Sequence, residues 1–79
     1  MAARAHVLVN VTAGKSKQVK ETVSVIDGVM TVDAVAGPYD LIVAIEAADY
    51  NRLAKIVMDE IQSIDGVTRT ITCNVLNID

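Results

Sequence analysis

Val7, Val9 and Val11 occupy alternate positions near the start of the chain, with His6, Leu8 and Asn10 between them. A period of two predicts a strand with one wholly apolar face and one mixed face. Thr12-Ala13-Gly14 breaks the pattern, and from Lys15 or Ser16 the period changes. Val19, Val23 and Ile26 recur at i, i+4 and i+7 among Lys17, Lys20, Glu21 and Ser24. That stripe predicts an amphipathic helix, with Ser16 placed to act as its N-cap. Its apolar residues are β-branched, so its stability must come from packing. Asp27-Gly28 ends it, and Gly28 suits a left-handed C-terminal position.

Two further apolar runs flank Gly37-Pro38-Tyr39-Asp40, which contains the only proline of the chain. Pro fixes φ at the value of a turn's second residue, and Gly tolerates dihedrals closed to other residues. The pattern predicts a β-hairpin, with strands from about Val29 to Ala36 and from Asp40 to Ala47, and Gly37 to Asp40 at its tip. Ala48-Asp49 then opens a second helix with Asp49 as N-cap. Leu53, Ile56, Val57, Ile61 and Ile64 form its buried stripe, and Asp65-Gly66 ends it. From Val67 to about Leu76 a last strand alternates Val67, Arg69, Ile71, Cys73 and Val75 with Thr68, Thr70, Thr72 and Asn74. This alternation assigns Cys73 to the core. The tail beyond Leu76 is expected to fray.

The element order is βαββαβ, and a short internal repeat supports it. Ile26-Asp27-Gly28-Val29 recurs as Ile64-Asp65-Gly66-Val67, each copy closing a helix and opening a strand. The predicted fold is α+β, a ferredoxin-like sandwich made of one antiparallel four-stranded sheet. Right-handed crossovers place both helices on one sheet face. The other face is left uncovered, and the alternation assigns to it His6, Leu8, Asn10, Ile42, Ala44, Glu46, Thr70, Thr72 and Asn74. Leu8 and Ile42 together in water are unfavourable on so small a domain, so a two-fold partner packed sheet on sheet is expected.

Composition strengthens that expectation. A domain of 79 residues buries about 60–65% of its unfolded surface and has a thin stability margin. The single cysteine excludes an intramolecular disulfide, and one Cys with one His excludes a zinc cage of those ligands within one chain. Oligomerisation is the remaining supplement for a chain that is 52% hydrophobic. The net charge of -3, with seven scattered basic residues, argues against direct nucleic-acid binding. No signal peptide and no membrane-length apolar run is visible, so a cytoplasmic location is expected for a single 79-residue domain with a lone thiol.

Gly37-Pro38-Tyr39-Asp40-Leu41, the apolar strand after it, Asp49, Ile64-Asp65-Gly66-Val67 and Thr70-Ile71-Thr72 follow one another at a distinctive spacing. Over nearly its whole length the chain resembles the effector-binding domain of the Lrp/AsnC (feast/famine) transcriptional regulators, also called the RAM domain. The resemblance implies a sheet-to-sheet homodimer and rings of such dimers, octameric or decameric. It implies no cofactor, but a small amino-acid effector in clefts between dimers, lined by the hairpin tip and the polar positions of the last strand. Carried over residue by residue, the ligand-binding candidates are Gly37, Tyr39, Asp40, Thr70 and Thr72. Regulators of the family carry a helix-turn-helix that is not seen here, so the chain resembles the stand-alone form, with a full-length regulator as a possible partner.

The chemistry fits such a ligand. An amino acid offers an ammonium, which needs an acceptor such as Asp40, and a carboxylate, which needs donors. Backbone N–H groups of the Gly37 turn, and the Thr70 and Thr72 hydroxyls, qualify as donors. Each residue also has a plainer role: Asp40 as a turn cap, Tyr39 in packing, the threonines as good strand formers. No catalytic constellation stands out, and no enzyme activity is expected. Gly14-Lys15-Ser16 lacks the earlier glycine of a phosphate loop. Two alternatives share the fold. One is a small dimeric α/β-barrel enzyme of the monooxygenase or isomerase type, disfavoured by a helix-facing side made of Val, Ile and Leu. The other is an ACT-like regulatory subunit of a metabolic enzyme, which would use the turn at Thr12-Ala13-Gly14.

Overall fold

The structure is a computed structural model and describes residues 2–78. Its elements are β1 (Ala3–Val11), α1 (Ser16–Ser24), β2 (Val29–Ala34), β3 (Leu41–Ala47), α2 (Tyr50–Lys55) and β4 (Val67–Asn74). Between α2 and β4 the helix continues as a π-helical segment, Ile56–Ile61. The strands form one four-stranded sheet in the order β2-β3-β1-β4, every neighbouring pair antiparallel. This is the expected split βαβ plan, with the first strand of the chain in the middle of the sheet.

One face of the sheet carries the core. Val7, Val9, Leu41, Val43 and Ile45 point from β1 and β3 at Val19 and Val23 of α1 and at Leu53, Ile56, Val57 and Ile61 of the second helix. Each such side chain contributes about 1.5–3 kcal/mol by leaving water. Of the predicted stripe of the second helix, Leu53, Ile56, Val57 and Ile61 are buried and Ile64 only in part, and the stripe is not carried by a regular α-helix. Gln62 N donates to Val57 O across five residues (2.9 Å). The wider turn keeps Ile56, Val57 and Ile61 on the sheet side together.

The repeated Ile-Asp-Gly-Val segments build the same turn twice. Val29 N donates to Ile26 O and Val67 N to Ile64 O, both at 3.1 Å. Gly28 and Gly66 have φ of 99° and 102°, in the region that glycine alone enters readily. Gly28 O accepts from Glu46 N, and Gly66 O from Thr12 N, both at 2.8 Å. These matched bonds relate the β1-α1-β2 half to the β3-α2-β4 half by an internal two-fold. Its axis crosses the sheet between Leu8 and Ile42, which are register partners.

Helix starts differ from expectation in one case. Asp49 does cap α2: its Oδ1 accepts from Arg52 N at 2.8 Å. Ser16 does not cap α1; it is already helical, and Lys15 stands at the cap position without a side-chain bond. Replacing Asp49 with alanine should therefore cost about 1 kcal/mol in urea denaturation, whereas Ser16→Ala should be close to neutral.

The last strand requires a correction. β1 and β4 pair in register from Ala5↔Asn74 to Asn10↔Arg69, and then Val11 pairs with Val67. Thr68 is the extra residue of a β-bulge. Val67 packs on the core as predicted, but the bulge inverts the alternation beyond it. Thr70 and Thr72, paired with Val9 and Val7, therefore lie on the helix side, together with Asn74. They are not on the open face. Ile71 and Cys73, paired with Leu8 and His6, are on the open face, and Cys73 is exposed, not core. β2 carries the equivalent irregularity at Met30, between Val29 and Thr31. The open face thus presents Leu8, Ile42, Ala44 and Ile71, all half-buried, ringed by Arg4, Asp33, Glu46 and Arg69.

Candidate functional site

β2 ends at Ala34, and Val35 N bonds to Asp40 O (2.9 Å), leaving Ala36 to Tyr39 as a four-residue hairpin loop. Three bonds fasten this loop to the end of β1. Asp40 N donates to Val9 O at 3.0 Å, Asn10 Nδ2 donates to Pro38 O at 2.9 Å, and Val11 N donates to Asp40 Oδ2 at 2.8 Å. The last bond has a clear cause. The pairing of β1 with β3 ends at Val9↔Leu41, so Val11 N, on the same side of β1 and beyond that pair, has no ladder partner, and a part-buried N–H needs an acceptor. Asp40 supplies a charged one. Its Oδ1 accepts no hydrogen bond among the described residues. Tyr39 is half-buried and Gly37 exposed. Gly37 has φ of 158°, nearly extended, and a Cβ there would meet no atom within 4 Å. Its backbone is open to approach.

Thr70 and Thr72 are held elsewhere. Leu41, Val9 and Thr70 stand side by side on β3, β1 and β4, so Thr70 lies two strand spacings, about 10 Å, from the start of β3. Its Oγ1 accepts from Gln62 Nε2 at 2.8 Å. Thr72 lies one pair further from the hairpin end. It lines a groove of about 250 Å³ between β4 and the second helix, with Tyr50, Ala54, Met58, Gln62 and Asn74. The five candidates thus fall into two groups: Gly37, Tyr39 and Asp40 at the fastened tip, and Thr70 and Thr72 on the edge strand. One chain does not bring the groups together.

Sequence reasoning missed Gln62 and Tyr50. Gln62 is the first residue after the π segment, and its amide reaches the edge strand only because the wider turn places it there. Tyr50 Oη donates to Val75 O at 3.2 Å and closes the other end of the groove. Each is a polar side chain flanking the Leu53-to-Ile61 stripe, which is the signal the sequence held.

The site offers acceptors at the tip and both donors and acceptors at the edge, on a surface with no buried side-chain polar atom left unpartnered among the described residues. Those residues contain no group of three or more side chains placed to hold a metal ion. No helix among them is long and apolar enough to cross a membrane. Asp40→Ala should destabilise the domain by about 1–2 kcal/mol, because Val11 N loses its acceptor. Asp40→Asn keeps an oxygen there and should cost less, as thermal melts will show.

Residues 4–78 match the sequence profile of the Lrp/AsnC ligand binding domain. An uncharacterised HTH-type transcriptional regulator of Pyrococcus furiosus is 38% identical over 56 residues, 71% of this chain and 37% of that protein. A homocitrate synthase of Sulfurisphaera tokodaii is 41% identical over 58 residues, 73% of this chain and 12% of that enzyme. The chain therefore spans little more than a third of the regulator and a small part of the enzyme. Among solved structures, TTHA0845 of Thermus thermophilus superposes with a TM-score of 0.92 at 28% identity, over 98% of this chain and 96% of that one. A Neisseria meningitidis transcriptional regulator, solved as a complex with L-Met, shares the fold with a TM-score of 0.84 at 22% identity, over 95% of this chain and 50% of that one. With the profile match running over nearly the whole length, the chain belongs to the Lrp/AsnC ligand-binding domain family.

Proposed function

We propose that this chain is an amino-acid effector-binding and oligomerisation module related to the Lrp/AsnC regulators. It forms a homodimer through the open sheet face, and dimers join in a ring. A small amino acid sits where the hairpin tip of one dimer meets the edge strand and second helix of the next. The observation that carries this reading is the separation of the candidate groups. Asp40 holds one oxygen uncommitted at the fastened tip, while Thr70, Thr72 and Gln62 lie together where the edge strand meets the second helix. A ligand needing both must be enclosed by two chains. Asp40 then accepts from the ammonium, while backbone N–H groups at Gly37 and the threonine hydroxyls receive the carboxylate. The family's description as a ligand-binding domain supports the binding role, and the Neisseria complex supports the amino-acid class. Ligand occupancy would alter assembly, and through it a partner regulator.

A second reading comes from the homocitrate synthase match. The same module would then report amino-acid levels to a metabolic enzyme instead of a DNA-binding protein. The site chemistry is the same in both.

Calorimetric titration with each common amino acid tests the proposal. One or a few should bind, and Asp40→Asn should weaken that binding at least tenfold, about the size of losing a charged partner, while leaving the fold intact. Binding that is unchanged in Asp40→Asn would remove the ammonium role, and no binding by any amino acid would remove the ligand class.

A further inference from the structure

The groove between β4 and the second helix carries more apolar surface than the chain itself covers. Leu53 and Val57 form its buried floor, and Ala54, Met58 and Tyr50 its open rim. Met58 is 63% exposed and Tyr50 49%. Large side chains left this open around one hollow mark a surface that something else covers. Among the described residues no charged side chain lines the groove; its polar groups belong to Tyr50, Gln62, Thr72 and Asn74.

Gln62 also lines a second hollow, of about 230 Å³, toward the start of β4, with Thr68, Arg69 and Thr70. The two hollows adjoin at the hydrogen bond between Gln62 and Thr70. That bond uses Thr70 Oγ1 as the acceptor and leaves the hydroxyl hydrogen free to donate. Thr72 lies two residues on, about 7 Å along the same face, and lines the apolar groove. A carboxylate received by the two hydroxyls therefore stands at the junction, and the side chain of an amino acid can leave it in two directions. Toward Arg69 an acidic side chain would fit. Toward Tyr50 an apolar one would fit.

Two observations select the second direction. Arg69 pairs with Asn10 and, by alternation, belongs to the opposite face of the sheet from Thr70. Met58 and Tyr50, by contrast, stand on the same side as the threonines and have nothing over them. A charged side chain placed there would lose water and gain no opposite charge. One as small as that of alanine would cover little of the apolar floor and gain little from doing so. Ala54 decides how much room there is, because any larger residue at that rim position would reach into the groove.

We propose that the effector is an amino acid with a large uncharged apolar side chain, of leucine or methionine size, laid along this groove, with Ala54 setting the size limit. This rests on the amino-acid site proposed above and specifies which members of the class it accepts. Calorimetric titration with leucine, methionine, alanine, glutamate and lysine tests it. Leucine or methionine should bind about tenfold or more tighter than the other three, since each methylene in an apolar pocket is worth about that factor. Ala54→Leu fills the groove at an exposed helical position, where leucine is a good helix former. It should weaken leucine and methionine about tenfold or more and leave alanine unaffected, with the circular dichroism spectrum unchanged. Ala54→Ser keeps the room and should keep the binding. Glutamate, lysine or alanine as the tightest of the five overturns the side-chain class. Leucine or methionine binding that Ala54→Leu does not alter overturns the groove as its seat. If none of the five binds, the amino-acid site itself falls, and this specificity with it.

Discussion

Gly28→Ala is expected to lower the stability of the domain by about 2–5 kcal/mol, a large share of what a small domain has. Two independent costs combine. At φ of 99° an alanine pays about 1–2 kcal/mol for its Cβ alone. That Cβ would also stand 2.9 Å from Glu46 O and 2.9 Å from Ile56 Cδ1. The carbonyl belongs to the central strand that Gly28 itself bonds, and Ile56 is part of the core, so neither yields freely. Overpacking of this kind costs about 1–3 kcal/mol more. Gly14 is the internal control. Its φ is 83°, but a Cβ there would meet nothing within 4 Å. Gly14→Ala should cost only the backbone share, about 1–2 kcal/mol. Urea denaturation of the two variants side by side gives the difference directly. Equal losses would mean that the close approach at Gly28 relaxes without penalty.

The second large effect concerns assembly. On the proposed sheet-to-sheet dimer, Leu8→Glu should give monomer at micromolar concentration, a loss of affinity of roughly 100-fold or more, or about 3 kcal/mol. Leu8 lies at the centre of the open face beside Ile42 and Ile71. A carboxylate there would be taken out of water without a partner, and with two-fold symmetry the penalty is incurred twice. The same substitution should be nearly harmless to an isolated chain, because it removes an apolar side chain from water contact. Light scattering, and a melting temperature that ceases to depend on protein concentration, are the measurements. A Leu8→Glu variant that stays dimeric would place the interface elsewhere. Ile42→Glu should behave alike, since the internal two-fold makes the two positions equivalent.

Much of this architecture was readable from residue pattern alone. The two helix-closing Ile-Asp-Gly segments marked both halves, and the β-branched runs around Gly37-Pro38 marked the hairpin. Asp49 was recognisable as a cap because its side chain acts within four residues of itself. The misreadings share one physical origin. A bulge adds a single residue, and nothing in Val67-Thr68-Arg69 signals which side of it the chain will leave on. The positions of Thr70, Thr72 and Cys73 depend on that choice, so an alternation rule correct at Val67 became wrong two residues later. Ser16 failed as a cap for a related reason: the first turn of α1 starts one residue earlier than the side chain requires. The candidate site was legible in its parts and not in its arrangement. Gly37, Tyr39 and Asp40 came as one turn. The separation of Thr70 and Thr72 from that turn by a whole strand, and the reach of Gln62, depend on pairing between residues far apart in the chain.

The central place of β1 has a consequence for how the molecule comes into being. The strand synthesised first pairs on one side with β3 and on the other with β4, up to the contact of Ala5 with Asn74. Only the β2-β3 hairpin can form from neighbouring residues. The remaining pairings must wait until almost the entire chain is available, and they close long loops before any burial compensates. Folding should therefore be slow for so short a chain. A nascent polypeptide still lacking its last strand would carry β1 half-paired, with an unsatisfied edge that invites the wrong partner.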